Sequence, residues 1–105
     1  MLIKFLCGAG RTGGSIMRLE EVREIVNRLE SEFDSHKFIR EFIFACTRSY
    51  GNLLVKHGNV TTAHAEIANF LRNHAEELSI EKIGEDKISK DIFGNDVPNA
   101  NWRKK

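Results

Sequence analysis

The stretch Asp34–Gly58, DSHKFIREFIFACTRSYGNLLVKHG, decides the architecture. Phe38, Ile39, Phe42, Ile43, Cys46, Tyr50, Leu53 and Leu54 recur within it at the spacing that lines one face of an α-helix. Asp34 and Ser35 can accept hydrogen bonds from the first unpaired N–H groups of that helix, and Gly58 suits the left-handed residue that follows a last turn. The pattern predicts a core helix over 36–57. Gly51 inside it costs about 0.5–1 kcal/mol relative to alanine and marks a close helix crossing, a kink or an earlier end. A stripe this apolar is stable only if neighbouring segments cover it with apolar faces of their own.

Both neighbours supply such faces. Between Met17 and Phe33, Leu19, Val22, Val26, Leu29 and Phe33 alternate spacings of three and four, with Ile25 broadening the stripe and Glu20, Glu21, Arg23, Glu24, Arg28 and Glu30 on the other side. This is an amphipathic helix over 17–33, too short in its repeat to call for a coiled coil. After the short connection Gly58-Asn59-Val60, Thr61 or Thr62 can cap a third helix over 61–78 whose apolar face is Ala63, Ile67, Phe70, Leu71, Ala75 and Leu78. So short a turn brings the second and third helices together. The expected core is Leu19, Val22, Val26, Leu29, Phe38, Phe42, Ile43, Cys46, Tyr50, Leu53, Ile67, Phe70, Leu71 and Leu78.

Beyond Leu78 the periodicity is ambiguous. Ile80, Ile83, Ile88, Ile92 and Phe93 are interrupted by Gly84-Glu85-Asp86-Lys87, so 79–83 and 87–93 read either as arms of a hairpin around that polar turn or as short helical turns. The reading favours irregular cover with at most short strands. Gly94-Asn95-Asp96 and Pro98 stop regular structure, and Trp102 pins a tail that ends in Arg103-Lys104-Lys105. The expectation is a mainly α, single small three-helix domain over 17–105 with an irregular or short β-hairpin C-terminal segment. A flexible glycine-rich leader over 1–16 precedes it.

A chain of 105 residues has room for one domain. Its hydrophobic share of 41% and charged share of 30% are those of a soluble globular protein, and its formal net charge of +1 gives neither half a cationic field. Any nucleic-acid surface would have to be local. Cys7 and Cys46 make no disulfide framework and read as reduced thiols; with neither a signal peptide nor a membrane span in the pattern, a cytoplasmic location is expected.

Gly8, Gly10 and Gly13 fit the G-x-G-x-x-G of dinucleotide sites, yet the required second strand and its acidic residue are missing. Read as a P-loop, Gly14 stands where the phosphate-binding lysine belongs. No nucleotide or other cofactor is therefore expected. Of His36, His57, His64 and His74, the last two lie ten residues apart on one helix, about 15 Å of rise, and cannot share one ion. His57 and His64 flank a turn near Glu66 or Glu41, but no second ligand pair accompanies them. Cys46 on an apolar stripe lacks the exposure of a nucleophile, and the carboxylates read as surface charges. An enzyme is not expected.

Two binding functions remain, the first the expectation and the second its alternative. One is a non-enzymatic protein-interaction or regulatory module, or a homo-oligomer, using apolar residues left over by the core: Phe44, Val55 and Trp102. The other is a helix-turn-helix or winged-helix-like DNA-binding regulator offering Thr61, Thr62, His64, Asn69, Arg72 and Asn73 from the helix near 61–78. Glu66, Glu76 and Glu77 count against the second, as does a preceding helix about twice the length that the motif prefers.

Overall fold

Where one helix is expected over 36–57, the chain forms two. The computed structural model describes residues 17–105, with the backbone alone at 85–87. Helix α2 (Ser35–Ala45) ends at Cys46, whose φ of −128° and ψ of 54° are not helical, and α3 (Thr47–His57) begins immediately after it. Thr47 explains part of the break: its hydroxyl donates to the carbonyl of Ile43 at 2.8 Å, a local bond that competes with the helical ladder. Gly51 is not the cause, since it lies inside α3 with no atom within 4 Å of where a Cβ would stand. Cys46 is also engaged in a disulfide, which overturns its reading as a reduced thiol and removes that argument for a cytoplasmic compartment.

The helix ends follow local chemistry. Asp34 caps α2 by accepting from the Lys37 N–H, and Gly58 closes α3 in the left-handed conformation at φ 77°. Helix α4 (Val60–Asn73) is capped by Asn59, whose Oδ1 accepts from the Thr62 N–H at 2.7 Å, rather than by either threonine. Helix α1 (Leu19–Arg28) stops five residues before the expected end at Phe33. Its last carbonyls are met by a cation from the far end of the chain: Lys104 Nζ donates to the Leu29 carbonyl at 2.6 Å. Phe33 belongs instead to β1 (Glu32–Asp34), opposite Trp102.

The largest departure is in the last quarter. Residues expected to be irregular form β2 (Ile80–Lys90) and β3 (Asp96–Lys104), a long antiparallel hairpin joined by β1 into a sheet of order β1-β3-β2. The four helices and antiparallel sheet make an α/β mixture, not a three-helix domain with a minor appendage. The polar run at Gly84–Lys87 is no turn; it is where the pairing of β2 with β3 slips twice, as at a β-bulge. The true turn is Asp91–Asn95, where the Asp91 carboxylate accepts from the Phe93 and Asn95 N–H groups and Gly94 adopts φ 84°. Pro98 sits within β3 because β1 reaches only residues 101–103, leaving that side of the strand unpaired at 98.

One apolar core joins helices and sheet. Helix α2 is its centre, packing on α1, α3, α4, β1 and β3. Phe38 and Phe42 are wholly buried with ring centroids 6.3 Å apart. Ten of the expected core residues are buried, while Leu19, Ile43, Tyr50 and Phe70 pack against the core half-buried. The sheet contributes Phe33, Ile80, Ala100 and Trp102. Trp102 pins the C-terminal segment as expected, but that segment is strand β3 and not a tail. Its indole Nε1 donates to the buried Ser35 hydroxyl at 3.1 Å, tying β3 to the first turn of α2.

Candidate nucleic-acid interface

Helix α4 buries Ala63, Ile67 and Leu71, and the period that turns those inward turns Thr61, Thr62, Ala65, Asn69, Arg72 and Asn73 outward. Five of the six residues singled out on this helix therefore share one exposed stripe. His64, the sixth, does not. It is half-buried, with Nε2 2.8 Å from the Tyr50 hydroxyl of α3 and its ring stacked on Phe93, centroids 6.2 Å apart and planes 10° off parallel.

Among these outward residues the one charge is that of Arg72, and an acid, Glu66, borders them. Within the stripe, Arg72 Nη1 donates to Asn69 Oδ1 at 2.9 Å. Glu66, four residues after Thr62 and seven before Asn73, borders the stripe and is held there by Lys56 and His57 from α3. Burial pushes the Glu66 carboxyl upward, but the hydrogen bonds from His57 and Lys56 outweigh it and the net direction is down. Glu76 and Glu77 fall beyond the last residue of α4, where the Glu77 carboxylate pairs with His74.

The hairpin turn reaches this helix through Phe93 against His64. A second polar cluster anchors the same end of the hairpin to α2: His36 Nδ1 lies 2.8 Å from Ser89 Oγ, Asn99 Nδ2 donates to that oxygen at 3.1 Å, and the His36 N–H donates to Asn99 Oδ1 at 3.0 Å. These contacts span 10 to 63 residues of chain, so nothing local in the sequence announces them. Only the Asp91…Gly94-Asn95 turn chemistry is legible without the fold.

The expected partner contacts divide. Phe44 and Val55 are 78% and 85% exposed, whereas Trp102 is buried and presents no surface. His57 turns to Glu66 and His64 to Tyr50 instead of towards each other. Among the described residues no group of three or more histidine, cysteine or acidic side chains is arranged to hold a metal, and no helix is long and apolar enough to cross a membrane. The glycine run at 8–14, with both phosphate-binding patterns, and the proposed leader over 1–16 lie outside the described residues. No protein-family model, curated protein or solved structure matches the chain.

Proposed function

We propose that the protein is a non-enzymatic DNA-binding regulator that lays α4 in the major groove and sets the β2–β3 hairpin beside it as a wing. The observation that supports this reading is the polar outer stripe of α4, whose bordering acid Glu66 is paired with Lys56 and His57, preceded by an 11-residue helix and a two-residue turn. The break at Cys46 removes the length that made the helix-turn-helix match poor, and the pairing of Glu66 with Lys56 and His57 offsets the one acid beside the stripe. Asn69, Asn73 and Arg72 are side chains that read base edges, while Thr61 and Thr62 suit phosphates or thymine methyl groups.

The test is a mobility-shift assay with mixed-sequence duplex at two salt concentrations. If α4 and the hairpin neutralise two or more phosphates, affinity falls by about tenfold over a fourfold rise in salt. Arg72→Ala should weaken binding and flatten that dependence. Duplex binding that ignores both salt and Arg72 would defeat the proposal.

A second reading rests on a separate observation. Phe44 and Val55 are large apolar side chains left exposed on α2 and α3, and they favour contact with a protein partner or a second copy of the chain. Light scattering on the wild type and on Phe44→Asp separates the two: self-association abolished by the substitution supports this reading, and an unchanged monomer removes the second copy.

A further inference from the structure

We propose that His64 is a pH-sensitive latch that holds the β2–β3 turn against α4, so that acidification loosens the wing. Its regulatory meaning rests on the DNA-binding reading above; the latch itself does not.

The geometry is built around one imidazole. Tyr50 from α3 reaches His64 Nε2 at 2.8 Å, and the Phe93 ring from the turn lies nearly parallel to the imidazole. With the phenol as donor, Nε2 is the acceptor and the proton sits on Nδ1, an arrangement open only to the neutral ring. A second proton reverses that hydrogen bond and leaves a half-buried charge between Tyr50 and Phe93. The turn is otherwise stiff, because the Asp91 carboxylate holds the Phe93 and Asn95 N–H groups and the Asp91 N–H donates to the Asn95 carbonyl. A change at His64 is therefore passed to the turn as a unit.

Three ionisable groups face His64: the Tyr50 phenol on α3, the Asp91 carboxylate in the turn and His36 at the start of α2. Burial lowers the His64 pKa, Asp91 opposes that, His36 adds to it, and the net direction is down. A histidine whose folded pKa lies below its free value binds its proton more readily once released. The latch is thus complete above about pH 6.5 and weakens as pH falls below it.

The experiment is an NMR titration of the full chain between about pH 7.5 and pH 5, following the His64 ring and the Phe93, Gly94 and Asn95 amides. The expected result is that the turn amides move with the His64 midpoint, which lies below about 6.5. In His64→Phe, which keeps an aromatic ring beside Phe93, the movement should disappear. Turn amides that stay flat, or that follow His36 and persist in His64→Phe, would overturn the latch. Duplex affinity measured over the same range keeps the two ideas apart. Moving amides with pH-independent DNA binding uphold the latch and deny its regulatory role; flat amides end it whatever the DNA does.

Discussion

Replacing Ser35 with alanine removes the acceptor of the Trp102 indole, the hydrogen bond that ties the last strand to the central helix. Both residues are buried, at 4% and 2% exposure, and the Nε1–Oγ distance is 3.1 Å. Water has no ready route to the abandoned N–H. Leaving a buried donor unpaired costs about 1–3 kcal/mol, and the small helix preference of alanine over serine returns only about half a kcal/mol. Ser35→Ala should therefore destabilise by about 0.5–2.5 kcal/mol in urea unfolding followed by circular dichroism, with the slope unchanged. Trp102→Phe supplies the control, since without the indole N–H the serine has lost its donor. Ser35→Ala should then cost less than about 0.5 kcal/mol, the level at which uncoupled sites add. Equal costs in the two backgrounds would show that the hydrogen bond contributes nothing and that β3 is held by apolar packing alone.

Further outcomes follow from packing, backbone and charge. Phe42→Ala, at a wholly buried position stacked on Phe38, should lose about 3–5 kcal/mol; a loss under about 1 kcal/mol in denaturant unfolding would place Phe42 outside the core. Gly51→Ala meets open space inside α3 and should gain about 0.5–1 kcal/mol. Gly58→Ala, at φ 77°, should lose about 1–2 kcal/mol, and thermal melts giving both changes the same sign would contradict this account of the α3 ends. Glu21 is buried with its Oε1 unpaired, and burial raises its carboxyl pKa, with Arg18 opposing and Glu20 assisting. The ionised form is thus the penalised one in the fold. Glu21→Gln should stabilise at pH 7 and lose that advantage as pH falls through the carboxylate range; a benefit independent of pH would point to packing rather than charge.

The helical half was legible because burial on one face imprints a period on Phe38, Ile39, Phe42, Leu53, Ile67 and Leu71 that survives without any partner in view. The limits of that signal are equally physical. The stripe runs unbroken across Cys46, since two helices meeting there keep the same side inward; part of the break is carried by one hydroxyl, that of Thr47. Strand β1 is three residues long, too short for alternation to show, and Phe33 four places after Leu29 imitates one more helical turn. In the hairpin, Gly84–Lys87 has turn composition but sits where the ladder slips, while Pro98 looks like a stop and is tolerated on a locally unpaired edge. Of the candidate interface, the stripe of α4 could be read from its period. The contacts of His36, Ser89, Asp91 and Asn99 could not, because they join residues that only the folded chain brings together.

If the outer face of α4 and the adjoining hairpin form the proposed functional surface, amide mapping by heteronuclear NMR during titration with a mixed-sequence duplex at low salt will locate it. Shifts should concentrate at Thr61, Thr62, Ala65, Asn69 and Asn73 and along the hairpin turn, and should reverse when salt is raised. Shifts gathered at Phe44 and Val55 instead, or a spectrum unchanged by DNA, would contradict the proposal.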